Sequence, residues 1–527
     1  MGPYPLVAHV TATEDRAGAG LSRVLRGGVL NMAGAAVGAG LNLAVIVTIT
    51  RAFSPETAGL LFSATSVFLI AATVAGAGAP DGLVYFITRL RVLGRAESVR
   101  RLLRVAMGPP VAAAGLLGVL MVLFAEPVAR ALATEDAETY LRLLAAFVPF
   151  AVMVDSALAA TRAHHDMTAT VLVDKVGRPL AQLALVAAVA LSGSAGLLAL
   201  AWAGPYLPAG VLAWFWLGRL LTRAAPAPRR GGAPAVTEAG TGTDAAPDTP
   251  DGLRSDGSVS PRVFWSFALP RAVAGVAQMG VQRGGVVLVA LLSGLSGAAV
   301  FTAATRVMVL GQFGNQAVLS AAQPQFAEQL ATGDHTGVRS LYQAGTAWLV
   351  CLTWPLYLSA LVFAPQVMSL FGPGYAAGVT VLVVVCSGQL VGSALGMGDL
   401  ILAMTGRSTL NLVNNVLALA ANVLVCVALA PALGATGAAV ALVASVVVRK
   451  VLPLLQLRKR VVLHPFGDAV MLAAGSAVIW FAALPLLTVG LLGQVPVALA
   501  VSIAVGAVGH LATVWRLRGH LGLRLRS

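Results

Sequence analysis

Residues 94–102, Gly94-Arg-Ala-Glu-Ser-Val-Arg-Arg-Leu102, have a counterpart in residues 333–341, Gly333-Asp-His-Thr-Gly-Val-Arg-Ser-Leu341. Gly94, Val99, Arg100 and Leu102 recur as Gly333, Val338, Arg339 and Leu341, all at a shift of 239. The correspondence extends outward from this segment. At the same shift Phe62 becomes Phe301, and Phe124, Ala125 and Val128 become Phe363, Ala364 and Val367. Asp155 and Thr161 match Asp399 and Thr405 at 244, and Gly193 and Gly196 match Gly434 and Gly437 at 241. Loop insertions produce small drifts of this kind. The hydrophobic second half therefore repeats the first. Paired membrane lobes with a site between them are how many secondary transporters are built, and rocking one lobe against the other gives alternating access.

The composition sets the solvent. Of 527 residues, 58% are hydrophobic and 11% charged, whereas a soluble domain carries about 25% charged residues. The mean hydropathy is +0.86. Apolar runs of about 20 residues, long enough to span a bilayer, lie near 28–50, 57–79, 105–125, 140–160, 170–191, 195–218, 267–292, 297–321, 344–364, 377–404, 409–429, 434–455, 468–490 and 493–515. Each must be helical, because lipid cannot satisfy an open backbone. The expected fold is an all-α polytopic membrane protein of about fourteen transmembrane helices. Two pseudo-symmetric six-helix lobes surround a central cavity, and two additional helices follow at the C-terminal end.

The expected organisation is a cytoplasmic tail at 1–26, an N-terminal lobe at 27–221, a linker at 222–262, a C-terminal lobe at 263–460, and two helices with a basic tail at 461–527. The linker is rich in Ala, Pro, Gly, Thr and Asp. It includes Pro226, Pro228, Pro234, Pro247 and Pro250, a composition that cannot bury a core and predicts disorder. It is either a tether between moving bodies or a spacer without function. The first 27 residues lack the features of a cleaved signal peptide, so the first span is expected to be an uncleaved anchor.

A net charge of +14 raises nucleic acid as a partner, but its distribution argues otherwise. With a cytoplasmic N-terminus, the inner segments hold most of the Lys and Arg. Arg89, Arg91, Arg95, Arg100, Arg101 and Arg104 share one loop, and Arg449, Lys450, Arg458, Lys459 and Arg460 another. The outer segments hold Arg51, Arg130 and Arg142, and Arg271, Arg283 and Arg306 fall inside spans. This is the positive-inside rule, and it places both termini in the cytoplasm. The basic loops are topology signals beside anionic lipid, with no nucleic-acid role. Cys351, Cys386 and Cys426 sit in spans and read as packing residues rather than a disulfide framework. No GxxxxGK[ST] motif supports direct ATP use. Gly34-xxx-Gly38 and Gly388-xxx-Gly392-xxx-Gly396 read as helix-packing surfaces.

Ionisable groups within spans are costly, about 2.5–3.5 kcal/mol each at the centre on insertion scales, so they face a wet cavity or one another. The first helix carries Asn31, Ala35, Gly38 and Asn42 at i, i+4, i+7 and i+11, which is one helical stripe. The seventh repeats that spacing, 240 residues on, as Arg271, Gly275, Gln278 and Gln282. Arg283 lies about 100° from the stripe, and Arg306 sits on the eighth helix. One reading is a central cavity with an amide wall and a cationic wall. Arginine suits phosphate there because its fork makes bidentate, charge-assisted bonds. The other reading is interhelical glue, with arginines reaching the interface. Asp155 and Asp399, on the fourth and tenth helices, either bind a coupling proton or cation, or pair with a base and cap a packed end. His164 and His165 are adjacent and share no helical face, so no metal site is expected. Trp214, Trp216, Trp265 and Trp515 near helix ends fit an aromatic belt. Pro149, Pro205, Pro270, Pro355 and Pro485 are candidate kinks. No catalytic constellation stands out, so no enzyme and no cofactor is expected.

Residues 25–515 resemble the MOP flippase superfamily, and within it the polysaccharide (O-antigen-type) lipid-linked oligosaccharide flippases. The resemblance rests on Arg51-Ala-Phe-Ser-Pro-Glu-Thr-Ala-Gly59 after the first helix and on Phe264-Trp-Ser-Phe-Ala-Leu-Pro270-Arg271 at the opening of the second lobe. Leu370-Phe-Gly-Pro-Gly-Tyr375 and Pro431-Ala-Leu-Gly434-Ala-Thr-Gly437-Ala-Ala439 add to it. It implies movement of an undecaprenyl-pyrophosphate-linked saccharide between leaflets of the bacterial cytoplasmic membrane, for polysaccharide or cell-envelope assembly. It also implies a cationic pyrophosphate site, which maps onto Arg271, Arg283 and Arg306, while Asn31, Asn42, Gln278 and Gln282 are candidates for sugar contacts. A polysaccharide polymerase and glycosyltransferases are the implied partners, beside the lipids themselves. Two departures stand out. Fourteen helices are typical of the lipid II flippase branch, and the long linker is unusual. The alternatives are a lipid II flippase, a MATE-like multidrug exporter, whose organic cations favour an acidic cavity, and a membrane-embedded glycan transferase.

Overall fold

The computed structural model describes residues 31–93, 95–223, 259–405, 408–458, 463–493 and 495–516. The expected tail at 1–26, nearly all of the linker, Lys459, Arg460 and the last eleven residues lie outside the described residues. Among the described residues there is no β-strand, and the chain is almost wholly helical.

The first lobe comprises α1 (Asn31–Ala52), α2 (Pro55–Gly76), α3 (Ala79–Val92), α4 (Val99–Leu123), α5 (Ala125–Ala131), α6 (Asp136–Ala145), α7 (Val148–Ala163), α8 (Thr170–Ser192) and α9 (Ala195–Thr222). The second comprises α10 (Pro261–Ser293), α11 (Leu295–Ala304), α12 (Arg306–Thr332), α13 (His335–Val362), α14 (Ala364–Ser369), α15 (Gly378–Ala394), α16 (Gly398–Met404), α17 (Thr409–Leu433) and α18 (Ala435–Leu457). The additional pair is α19 (Asp468–Leu492) and α20 (Val497–Arg516).

Every apolar run of the sequence has its helix. Among the described residues, 11 helices are long and apolar enough to cross a membrane, and 13 spans result when α6 with α7 and α15 with α16 each count as one bent span. The run at 297–321 is broken at Thr305 into α11 and α12, and polar residues interrupt its apolar character. The second span runs beyond its expected end at 79, bending at Ala77–Gly78, both left-handed, and continuing as α3.

Local chemistry sets these boundaries. Ser54 caps α2 by accepting from the Thr57 N–H at 3.2 Å, with Pro55 in the first turn, where its missing donor costs nothing. Asp334 caps α13 by accepting from Gly337 N–H at 2.8 Å. The repeated pair Gly193 and Gly434 has φ of 70° and 58°, positive values that glycine adopts without strain. Both sit between successive helices, α8 and α9 or α17 and α18, but with different ψ, 7° and −136°.

The lobes meet at the end where α2 and α11 begin. Gly59 lies against the Leu295 carbonyl, Ser296 donates to Glu56, and Arg51 Nε donates to Leu370 O at 2.8 Å. One core crosses the junction, with Ile49, Leu61, Phe68 and Tyr140 from the first lobe and Val289, Phe301 and Tyr375 from the second. At the opposite end the cores are separate. Leu83, Phe86 and Ile87 pack with Phe264 at the start of α10, whereas Phe326, Tyr342, Met397 and Leu457 form a second cluster. One shared core thus spans both lobes at one end, and two separate clusters lie at the other, the first of them taking in the start of α10. α19 and α20 dock on α13, where Val470 and Ala473 cover Cys351, and His510 links Ser476 Oγ at 2.9 Å to the Cys351 carbonyl at 3.2 Å. All three cysteines are free and buried.

Candidate functional site

Polar side chains gather in three places inside the bundle: in the first lobe, at the lobe boundary, and in the second lobe.

In the first lobe the source is α8, whose first turns, Thr170–Gly177, are wound as a π-helix. Such segments are rare and frequent at functional sites. Arg178 makes an ion pair with Asp174 at 2.8 Å, reaches Gln182 Oε1 at 3.4 Å, and lies over the Tyr206 ring at 4.8 Å. Lys175 Nζ donates to Asn31 Oδ1 at 2.7 Å and to Asn31 O at 3.2 Å. Asn31 thus ties α1 to α8. Gly34 and Gly38 follow on the same contact, against Val171 and the Lys175 carbonyl, which makes this pair the packing surface read from the sequence. Asn42, exposed, donates to Gly38 O at 2.8 Å. Asp155, on α7, is open to a water-sized probe yet deep in the lobe, within electrostatic reach of Asp174, Arg178 and Arg162.

At the boundary stands Arg283. It belongs to a second π-helical segment, Gly280–Gly284, in the middle of α10. The helix around it touches α2 and α3 of the first lobe as well as α17 of its own. Arg283 is within electrostatic reach of Tyr206 across the boundary and of Arg306 at the head of α12. Arg306 Nε donates to Thr302 O at 3.1 Å. Among the described residues neither arginine has a carboxylate partner. Two inward-lying cations therefore lie within electrostatic reach of each other, neither with a carboxylate partner among the described residues. Arg271 is exposed, stacks over Phe267 at 3.5 Å and donates to Phe267 O at 3.0 Å. It lies seven residues before Gln278 on the same helix face, about 10 Å along the axis.

In the second lobe a cavity of ≈ 300 Å³ takes in Gln278 and Gln282 of α10, with Asp399, Arg449 and Lys450. Lys450 Nζ lies 3.2 Å from Asp399 Oδ1 and 3.0 Å from the Gly396 carbonyl. Asp155 and Asp399 match in the repeat but differ in surroundings, since only Asp399 has a base in direct contact. A separate groove of ≈ 580 Å³ lies on the boundary, lined by apolar side chains including Val67, Ile70, Leu120, Phe124, Leu288 and Val423.

Several site residues escaped the sequence reading. Arg271, Arg283 and Arg306 were expected to be the basic residues inside spans, yet Lys175 and Arg178 lie within α8, and Arg449 and Lys450 within α18. A usable signal existed in Asp174 and Arg178, an i, i+4 ion pair inside an apolar run. The angle assigned to Arg283 assumed 100° per residue, which the wider π turn at Gly280–Gly284 alters. His164 and His165 lie in the 164–169 connection, with His164 Nδ1 2.9 Å from Ala160 O.

The sequence matches no protein-family model and no curated protein. Solved structures do match. One is a multidrug resistance MATE family transporter of the MOP superfamily in an inward-facing conformation, at TM-score 0.63 and 16% identity over 80% of this chain and 93% of that one. Another is the lipid II flippase MurJ in an inward closed conformation, at TM-score 0.66 and 10% identity over 94% and 99%. A third is a MOP superfamily transporter from Pyrococcus furiosus, reported for the reverse polarity of its binding pocket, at TM-score 0.54 and 17% identity over 83% and 95%. This multi-pass membrane protein has the fold of the MOP-superfamily transporters.

Proposed function

We propose that the chain is a secondary transporter, not an enzyme, that flips an undecaprenyl-diphosphate-linked oligosaccharide across the bacterial cytoplasmic membrane, with both termini in the cytoplasm. The observation that carries this reading is the Arg283–Arg306 pair, inward-lying and without a carboxylate. Buried charges are ordinarily paired, and a diphosphate supplies the missing anion with geometry suited to guanidinium forks. Arg271 attracts the head group at the mouth. Asn31 and Asn42 line the approach, Gln278 and Gln282 the second lobe, and the apolar boundary groove holds part of the isoprenoid chain. Asp155, which has no base in direct contact, is the better of the two carboxylates for a coupling proton or cation, since Asp399 is held by Lys450. The lobes then rock against each other to give alternating access. The polymerase and glycosyltransferases that build the polysaccharide are the functional partners.

The test is a reconstituted flipping assay on lipid-linked saccharide with Arg283→Gln, Arg306→Gln and Arg271→Ala. A charge-assisted hydrogen bond contributes about 1.5–3 kcal/mol, so each of the first two variants should lose about 10- to 150-fold in transport. Unchanged transport in both would refute the diphosphate site. A lipid II flippase is the second reading, favoured by a likeness that spans 94% of the chain, and comparing the two lipid-linked glycans in the same assay separates them. Two inward-lying arginines within electrostatic reach of each other disfavour an exporter of organic cations.

A further inference from the structure

Six amide side chains extend the wall begun by Gln278 and Gln282 in the second lobe: Gln312, Asn315 and Gln316 on α12, Gln389 on α15, and Asn411 and Asn415 on α17. Among the described residues no hydrogen bond joins any of these side chains to the protein. Their neighbour Asn414 behaves differently. It is buried and exchanges two hydrogen bonds with Gln456 of α18, at 2.9 and 2.8 Å. Asn414 and Gln456 thus satisfy each other across α17 and α18, whereas the cavity amides make no such bond. The repeat does not reproduce this wall in the first lobe, where Gln182 is committed to Trp202 O at 2.7 Å and to Arg178.

The chemistry of the wall narrows its ligand. An amide offers two donors and an acceptor without charge, the complement of a hydroxyl, which donates and accepts. A metal ion would want carboxylates, but the cavity's Asp399 is held by Lys450. An apolar ligand would displace water and leave the amides unpaired, at a cost for each. The volume of ≈ 300 Å³, at the small end of the roughly 300–1,000 Å³ of ligand pockets, suits a short saccharide. Gln282, on this wall, directly precedes Arg283. We propose that the second lobe alone holds the neutral saccharide of the cargo, while the diphosphate stays at Arg283 and Arg306. This rests on the reading that the cargo is a lipid-linked saccharide.

The test measures binding of farnesyl diphosphate and of farnesyl-diphospho-N-acetylglucosamine to the purified full-length protein in detergent. The wild type should bind the sugar-bearing lipid more tightly. Gln312→Leu with Gln316→Leu should remove that preference, about tenfold, and leave farnesyl diphosphate binding unchanged. Asn411→Ser with Asn415→Ser, on another helix, should do the same and guards against a folding defect in the first pair. A preference that survives both variants, or equal losses for both lipids, overturns the glycan chamber. So does a wild type with no preference between the lipids. Failure of the diphosphate reading is distinct, because then Arg283→Gln would not weaken farnesyl diphosphate.

Discussion

Replacing Gly59 with alanine should push the lobes apart at their joined end. Gly59 is buried in the first turns of α2, and a Cβ there would overlap the Leu295 carbonyl of α11 in the other lobe. Both partners are backbone, so no side chain can swing aside. Overpacking of this kind costs about 1–3 kcal/mol, and the strain exists only while α2 and α11 touch. The ratio of joined to parted lobes should therefore fall about 5- to 150-fold. Alanine also improves helix propensity by about 0.8–1.0 kcal/mol over glycine, but it does so in both states, so that gain cancels in the ratio. Spin labels at Glu135→Cys and Leu433→Cys, both exposed at the joined end, report the separation, and the native cysteines are buried. In lipid nanodiscs the variant should gain a longer-distance population. Gly115→Ala, where a Cβ meets nothing within 4 Å, should leave the distribution as it is. An unchanged distribution in a folded Gly59→Ala protein would refute the claim that this contact holds the lobes together.

Other perturbations address the interior. Lys450→Met strands Asp399, whose side chain keeps 28% of its surface open. It should cost about 3 kcal/mol of stability, the low end for a broken buried pair, and adding Asp399→Asn should recover most of that in thermal unfolding. Tyr140→Phe removes the bond to Ala195 O at 2.6 Å and should cost about 1 kcal/mol by the same measurement, and an unaltered midpoint would deny that bond a role. His164, in the connection after α7, has its pKa held below the ordinary 6.5 by burial, with Arg91 and His165 adding to the effect. The unfolded chain takes up that proton first, so stability is full above about pH 6.5 and falls as pH drops below it. His164→Gln should flatten this slope in denaturant titrations, and an equal slope in both proteins would contradict it.

The sequence by itself determined the helices, the repeat and the polar positions. Apolar length fixes where a chain must become helical in lipid, and the Gly193 and Gly434 turns are written in local conformational preference. The tertiary structure decided which polar residues meet. Asp155 and Asp399 are equivalent in the repeat, yet only one faces a lysine, because α18 brings Lys450 there and α9 brings no counterpart. The residues of α8 entered the site, and Arg283 came within electrostatic reach of Arg306, where π-helical turns alter which way a side chain points. Facing depends on how each helix is rotated, bent and packed against distant ones, and one-dimensional periodicity carries no record of that.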